Sequence, residues 1–409
     1  MKKNTLLLLF FLLLTMAVHA QRSVISGFVI DARSGIRLVQ ANVAVTGTSV
    51  AVVTNADGYF TLKTDASPAT ITVSHVGYQS QRVAVPAGQA DVLRISLKPV
   101  AVQLGEVVVW NENPRELVNN AIRKIPRNYS QQPELFSCFY RETAMKRNHY
   151  IYVAEGVVDM YKSGYSRSTA RDRVAIRKGR RILSPRRSDT LTVKVMGGPL
   201  QPIQLDIVKN LDFLLNAEEL DCYDFKMCQP DVIDGRMQFV VSLSPRLARP
   251  YPLYFGRLFI DRETLAFTRA ELTLDVSDRR KATDFMLVRK PSGVRFRPKE
   301  MSCLVDYRYD GRVTSISYIR STFRFNCDWR RRLMATSFTA FCEMVVTDRK
   351  SEGIQPITGR DSFDSRDAFY DKVDFFLDQH FWEDYNIIEP TETLDKAIDK
   401  LVKKYGLKP

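Results

Sequence analysis

The residues able to do chemistry are few and scattered. Four histidines occur, at positions 19, 75, 149 and 380. Only His380-Phe-Trp-Glu383 sets an imidazole and a carboxylate at a spacing that offers zinc two ligands, and a catalytic zinc needs a third from the protein. No histidine follows Glu383. His380, set among aromatics, therefore reads as a packed or surface imidazole. His75 and His149 have no adjacent His or Cys partner. Glu142, Glu155 and Asp159 offer carboxylates for acid/base work, but such pairing depends on approach in three dimensions. There is no Gly-x-Ser-x-Gly elbow, no phosphate-binding loop and no Cys-x-x-Cys. The reading is a protein without catalytic, metal or cofactor residues.

The strongest charge feature lies at 167–187. It holds Arg167, Arg171, Arg173, Arg177, Lys178, Arg180, Arg181, Arg186 and Arg187 against one acid, Asp172. Arginine forks pair with phosphate or carboxylate, so the run suits anionic lipid, lipopolysaccharide or an acidic protein. A solvated surface loop accounts for the same composition equally well. Arg330, Arg331 and Arg332 form a smaller patch. The formal charge of +14 favours encounter with anionic surfaces. Nucleic acid is disfavoured as a partner by an export signal and by the lack of any binding motif.

That signal is residues 1–20. Lys2 and Lys3 precede an apolar run at 6–14, and Val18-His-Ala20 supplies small residues at a cleavage site, giving a mature start at Gln21. Gln21 is not the cysteine that a bacterial lipoprotein anchor requires. The expected location is the periplasm or the periphery of the outer membrane. Cys138, Cys222, Cys228, Cys303, Cys327 and Cys342 remain in the mature chain, free to oxidise outside the cytoplasm or to pack as small hydrophobes. No pairing can be assigned.

Residues 24–98 must form a module of their own. Short alternating runs, broken by Asp31-Ala-Arg-Ser-Gly35, Asn55-Ala-Asp-Gly58 and Gly77, predict about seven strands in a small antiparallel sandwich. Asp57 is expected to bond its own following backbone, with Gly58 at positive φ. Gly27-Phe-Val-Ile-Asp-Ala32, Gly35, Ala41-Asn-Val43, Gly47-Thr48, Thr54-Asn-Ala-Asp-Gly-Tyr-Phe60 and Val76-Gly-Tyr78 occur in the order seen in carboxypeptidase-regulatory-like (transthyretin-like) domains, which the module resembles. The resemblance implies an envelope protein of the Bacteroidota. There such a domain often precedes the plug of a TonB-dependent transporter, and Leu104-Gly-Glu-Val-Val-Val109 looks like the segment at that junction. The remaining chain is far too short for a plug and a transporter barrel. Metallocarboxypeptidase chemistry, the other association of this family, lacks its downstream histidine here.

Residues 99–112 read as an extended linker and 113–409 as a basic α+β domain. Asn113-Pro-Arg-Glu116 predicts a capped helix that stops near Pro126, with Leu117, Ala121, Ile122 and Ile125 on one face. Strands follow near 136–143, 151–161, 238–243, 253–261, 266–276, 284–288, 303–309, 313–326 and 338–347. Asp310-Gly311 marks a tight hairpin. The stretch 254–267 is similar to strand–turn–strand units of LolA-like half-barrels, which implies an apolar ligand on a concave sheet; alternating apolar residues would fill a closed core equally well. Phe375, Phe376, Phe381, Trp382 and Tyr385 predict a core or interdomain seam, followed by a helix with Leu394, Ile398, Leu401, Val402 and Tyr405 on one face. The segment 381–390 resembles the closing segment of uncharacterised Bacteroidota envelope proteins that carry the same sandwich.

The fold expected is mainly β: a seven-stranded sandwich, then a larger curved antiparallel sheet, an incomplete barrel, with helices near both ends. The function expected is that of a non-catalytic, exported accessory or scaffold protein whose partner is an envelope protein or the anionic outer-membrane surface. The alternative is a periplasmic carrier or sensor of a lipid-like or glycan ligand held in the curved sheet.

Overall fold

The computed structural model describes residues 23–65, 69–86, 88, 91–100, 113–186, 189, 197–287, 293–329, 335–375 and 381–404. The signal segment, the 101–112 stretch of the linker, Arg187, Arg330 to Arg332, Phe376, His380 and Tyr405 lie outside these residues.

The N-terminal module is a sandwich of β1 (Ser23–Asp31), β2 (Asn42–Val45), β3 (Ala51–Val53), β4 (Tyr59–Thr64), β5 (Ala69–Ser74), β6 (Gln81–Val85) and β7 (Leu93–Leu97). One sheet runs β4-β1-β7 and the other β3-β2-β5-β6. Alternation puts Val29, Val43, Leu62, Ile71, Val73 and Leu97 fully inside. Gly58 has φ +69°, as expected for its turn. The side chain that closes this turn is Asn55, which accepts from the backbone N–H of Asp57 (2.9 Å) and Tyr59 (3.0 Å). Asp57 instead reaches outward and accepts the Glu392 N–H at 2.8 Å.

The second domain is built on one sheet of twelve strands: β8 (Glu134–Lys146), β9 (His149–Lys162), β10 (Arg173–Leu183), β11 (Tyr223–Met227), β12 (Asp231–Ile233), β13 (Arg236–Pro245), β14 (Tyr254–Asp261), β15 (Phe267–Leu274), β16 (Val294–Tyr309), β17 (Thr314–Trp329), β18 (Thr336–Lys350) and β19 (Asp374–Phe375). Its order is β11-β13-β14-β15-β16-β17-β18-β8-β9-β10-β19, with β12 on β13. The sheet is curved and does not close. Every pairing is antiparallel except β10 with β19.

Helix α1 (Pro114–Arg123) starts where expected, with the Asn113 side chain accepting from the Arg115 N–H. The chain turns at Lys124 into a short helix α2 (Ile125–Asn128) that carries Pro126 in its first turn, where a missing N–H costs no hydrogen bond. The strand expected at 284–288 is not formed: its first residues belong to a helix, Arg279–Met286. Asp278 accepts from the N–H of Arg280 and Lys281, and this cap outweighs a short apolar pattern.

The sheet has two unlike faces. Even-numbered residues of β8 and β9 (Phe136, Cys138, Tyr140, Ala154, Val158, Met160) enter one large apolar core with Leu117, Val118, Ile203, Val208, Leu215 and Phe369. Residues of opposite parity meet the sandwich and the C-terminal segment: Phe139, Val157 and Val345 pack with Val53, Trp382, Ile387 and Ile388. The last helix, Glu392–Lys404, lays Leu394, Ile398 and Leu401 on Val153 and Ile182 of the same outer face.

Polar contacts fix the sandwich in place. Gln40 donates to the Tyr318 hydroxyl (2.9 Å), Arg308 to the Ser49 carbonyl (3.0 Å), Asn55 to the Pro390 carbonyl (3.0 Å), and the Gly77 N–H to Val232 (2.8 Å). Asn386 accepts from the Lys63 N–H (2.7 Å) and donates to its carbonyl (2.9 Å), acting as one more strand partner.

On the inner face Gly156 of β9 stands opposite Gly179 of β10. Together they make a slot for the Phe369 ring and the Val373 side chain. A Cβ at Gly156 would stand 2.6 Å from Phe369 Cζ and 3.2 Å from the Lys178 carbonyl. Gly156→Ala is expected to destabilise the protein by about 1–3 kcal/mol, read as a lower urea midpoint at unchanged m-value.

Candidate functional site

Register on the outer face assembles a ladder of charge from residues far apart in sequence. Arg257 stands opposite Glu271, Glu271 opposite Leu304, Leu304 opposite Arg320, Arg320 opposite Glu343, Glu343 opposite Arg141, Arg141 opposite Glu155, and Glu155 opposite Arg180. Sign alternates along the row, as cross-strand pairing favours. Leu304 is its one break. The covered end is tightly bonded: Arg141 Nε to Glu155 at 2.8 Å, Arg180 to Glu155 at 3.1 Å, Arg141 to Glu343 at 3.4 Å, and Trp382 Nε1 donating to Glu155 at 3.2 Å. Arg141 also donates to the Ile388 carbonyl at 2.6 Å. Burial by itself would raise the Glu155 pKa, but Arg141 and Arg180 outweigh it and hold the carboxyl below its ordinary value. At the open end Arg257 is 52% exposed, compared with 4% for Arg141.

A groove of about 380 Å³ lies over the open half, against the sandwich. Its floor is two adjacent rows. One runs Arg257, Glu271, Leu304, Arg320; the other runs Phe255, Thr273, Ser302, Thr322, with Phe341 next in register. Gln40 of the sandwich forms part of the rim. Arg269 is neutralised by Glu271 (2.8 Å) and Asp306 (3.0 Å). The Arg320 guanidinium lies over the Phe341 ring, 5.1 Å from its centroid. Among the described residues it makes no hydrogen bond or ion pair.

The interior holds two further clusters. Lys162 pairs with Asp206, which also accepts the Tyr307 hydroxyl at 2.8 Å. Beside it, Lys209 Nζ lies 3.1 Å from the Ser163 hydroxyl, and burial pushes this lysine down to about 8. A serine next to a depressed lysine is the geometry of a nucleophile and its base. Here Ser163 donates its proton to Asp172 at 2.7 Å, and Lys209 also donates to the carbonyls of Ser163 and Gly164. All of these groups are buried, so the cluster fastens 206–209 to the end of β9. The second cluster centres on Glu142, fully buried and accepting from the Tyr140 hydroxyl at 2.9 Å. The first cluster was not legible as a unit in the sequence, because it draws on stretches as far apart as Lys162 and Tyr307, which only the fold brings together.

The basic run is divided among several environments. Arg173, Arg177, Lys178, Arg180 and Arg181 lie on β10. Arg177 pairs with Asp159, Arg180 with Glu155, and Arg181 with the Tyr370 carbonyl and Asp371 (3.9 Å). Arg173 donates to the carbonyls of Ala170 and Asp172, and Lys178 to that of Phe381 at 2.7 Å. Arg167, Arg171 and Arg186 are exposed, with no side-chain partner among the described residues. Glu155 and Asp159, weighed above as acid/base candidates, are thus partners of arginines.

His75 bridges the carbonyls of Val76 (2.9 Å) and Val39 (3.1 Å), and burial lowers its pKa. His149 is exposed and faces the Arg147 carbonyl. Among the described residues no cluster of three His, Cys, Asp or Glu could hold a metal. All six cysteines are unpaired, and all but Cys228 are buried. No described helix is long and apolar enough to cross a membrane.

Residues 25–109 match the model of the CarboxypepD_reg-like domain, and the N-terminal sandwich is a domain of that kind. The match ends before the twelve-stranded sheet. No curated protein matches the chain. A crystal structure of a DUF1329 family protein from Desulfovibrio piger is similar over 60% of this chain and 96% of its own, at 10% identity and a TM-score of 0.28, too distant to transfer fold or function.

Burial pushes the Glu142 carboxyl up to about 7, against the opposing hydroxyls of Tyr152 and Tyr140. The folded protein therefore holds a proton that the unfolded chain releases near its ordinary 4.5. This contribution to stability is complete below pH 4.5 and is lost as pH rises through 7. Glu142→Gln removes the titration. The difference in unfolding free energy between pH 5 and pH 8 should shrink relative to wild type by up to about 3 kcal/mol, measured by urea titration at both pH values.

Proposed function

We propose that this chain is a non-catalytic accessory or scaffold protein of the cell envelope, exported by residues 1–20 and acting through protein contacts in the periplasm or at the periphery of the outer membrane. The observation that carries this reading is the seam. The CarboxypepD_reg-like domain is bonded to the outer face of the sheet and to the C-terminal segment through Gln40, Asn55, Asp57 and Lys63. Two domains joined in this way present one continuous platform, on which contacts made by the sandwich keep a fixed geometry relative to the basic domain. Arg167, Arg171 and Arg186, exposed and unpaired among the described residues, are the described members of the basic run best placed to meet an acidic partner or an anionic envelope surface.

The second reading, a carrier or sensor, is favoured by the groove. Its polar floor suits a glycan better than a lipid-like ligand, whereas the apolar inner face is occupied by α1, α2 and the 198–222 segment.

Mild crosslinking in intact envelopes, followed by affinity capture of the tagged full chain, tests the scaffold reading. The expected result is a defined partner crosslinked at the sandwich or near Arg167, Arg171 and Arg186, with its recovery reduced several-fold by the Arg167→Ser, Arg171→Ser, Arg186→Ser triple variant. Recovery of the mature protein alone would count against an accessory role.

A further inference from the structure

We infer that the outer-face groove is a binding site for a carboxylated saccharide and that Arg320 anchors its carboxylate. The inference extends the second reading and is independent of the scaffold reading.

The ladder singles out Arg320. Every other arginine in the row is paired with an acid: Arg257 with Glu271, and Arg141 and Arg180 with Glu155, which they share. Arg320 has Leu304 on one side. On the other is Glu343, already committed to Arg141 at 3.4 Å and to the Tyr318 hydroxyl at 3.2 Å. The guanidinium lies over the Phe341 ring, and its donors have no acceptor among the described residues. A guanidinium fork with its donors unused matches a carboxylate in two-point geometry.

The neighbouring row supplies the rest of the recognition surface. Phe255, Thr273, Ser302, Thr322 and Phe341 stand in register across five strands, a length of about 19 Å at the usual strand spacing. Hydroxyls occupy the middle and an aromatic stands at each end. Phe255 is 46% exposed. The Thr273 and Thr322 hydroxyls have no partner among the described residues. Hydroxyls beside the exposed Phe255 side chain suit a ring that carries C–H bonds on its faces and hydroxyls on its rim. The volume of about 380 Å³ lies at the small-ligand end of the usual range.

The floor also disfavours a peptide. Strands β14 to β17 are each paired on both sides, so no open edge exists on which a peptide could add as a strand. A peptide in this groove would depend on side-chain contacts alone and would lose many rotors on ordering; a sugar ring is ordered before it binds. Charge then selects among sugars. Arg257, Arg269 and Arg320 face one acid in the groove, Glu271, and Asp306 beneath it serves Arg269. The groove is left positive, which favours acidic over neutral saccharides.

The test uses the purified full mature chain on an array of carboxylated saccharides printed beside their neutral counterparts, with hits measured by calorimetry. At least one carboxylated saccharide should bind, at least about tenfold more tightly than its neutral counterpart, and binding should weaken as salt rises. Arg320→Gln should lose about tenfold or more of that affinity while leaving the thermal transition near wild type, because Glu343 keeps Arg141 and Tyr318. Thr322→Val, which preserves shape, should lose a smaller factor, about threefold to tenfold. The proposal is overturned if no carboxylated saccharide binds, if neutral counterparts bind equally well, or if the folded Arg320→Gln and Thr322→Val variants bind like wild type. It is also overturned if acidic tetrapeptides occupy the groove as tightly as the best saccharide, a result that would assign it to protein contact.

Discussion

The buried pair of Arg141 and Glu155 is the interaction on which the arrangement of three chain segments depends. Both side chains leave water almost entirely, and an ion pair in that position survives only when the remaining donors and acceptors are filled. The groups that fill them come from different parts of the chain: Arg180 from the next strand, the Trp382 indole and the Ile388 carbonyl from the C-terminal segment, and Glu343 from the strand on the other side. Removing any one leaves a buried donor or acceptor of the pair without that partner. The C-terminal segment is thereby held against β8 and β9. Once held, it offers Asn386 and the Pro390 carbonyl to the sandwich. Docking of the N-terminal domain thus rests on an electrostatic arrangement in which it supplies only an outer link, Gln40 through Tyr318 to Glu343.

Much of the fold was legible in the sequence because it is written in local signals. The sandwich strands, the Asn113 cap, the Asp310-Gly311 hairpin and the apolar face of the last helix each depend on residues within a turn or a strand of one another. The aromatic seam also appears where Trp382 and its neighbours suggested it. The misreadings share one cause, competition between two local signals. At 284–288 a polar cap at Asp278 overrode a short strand pattern, and in the 55–58 turn Asn55 took the bonding role assigned to Asp57.

The candidate site was not legible, for a different reason. A ladder spanning Arg141, Glu155, Arg180, Arg257, Glu271, Arg320 and Glu343 has no spacing in sequence; it exists only after strand order and register are fixed. Strand β18 pairs with β8, joining the last long strand of the sheet to its first, and this non-local step sets Glu343 beside Arg141. The basic run shows the converse. As composition it was the most visible feature of the chain, yet five of its members lie on one strand and spend their charge on neighbouring carboxylates and carbonyls. A dense run of one sign overstates the charge available for binding, because acids from other strands are placed against it by register.

Burial divides the ladder into two halves. Where the sandwich and C-terminal segment cover it, alternation is complete, since an unmatched charge in a dry seam would be strongly destabilising. Where it is open, water can solvate an imbalance, and there the row carries Leu304 in place of a charge and leaves Arg320 without an acid of its own. Arg257, more exposed still, is nevertheless paired with Glu271, so exposure alone does not account for the unpaired arginine. The break falls in the stretch of sheet that the groove leaves open, beside the row of hydroxyls and against the rim that Gln40 contributes. Leu304 packs against the apolar seam that joins the sheet to the sandwich and the C-terminal segment, where an acid would be costly to bury. The same leucine leaves Arg320 without an acid on that side, so one residue serves the apolar seam and sets the charge of the groove.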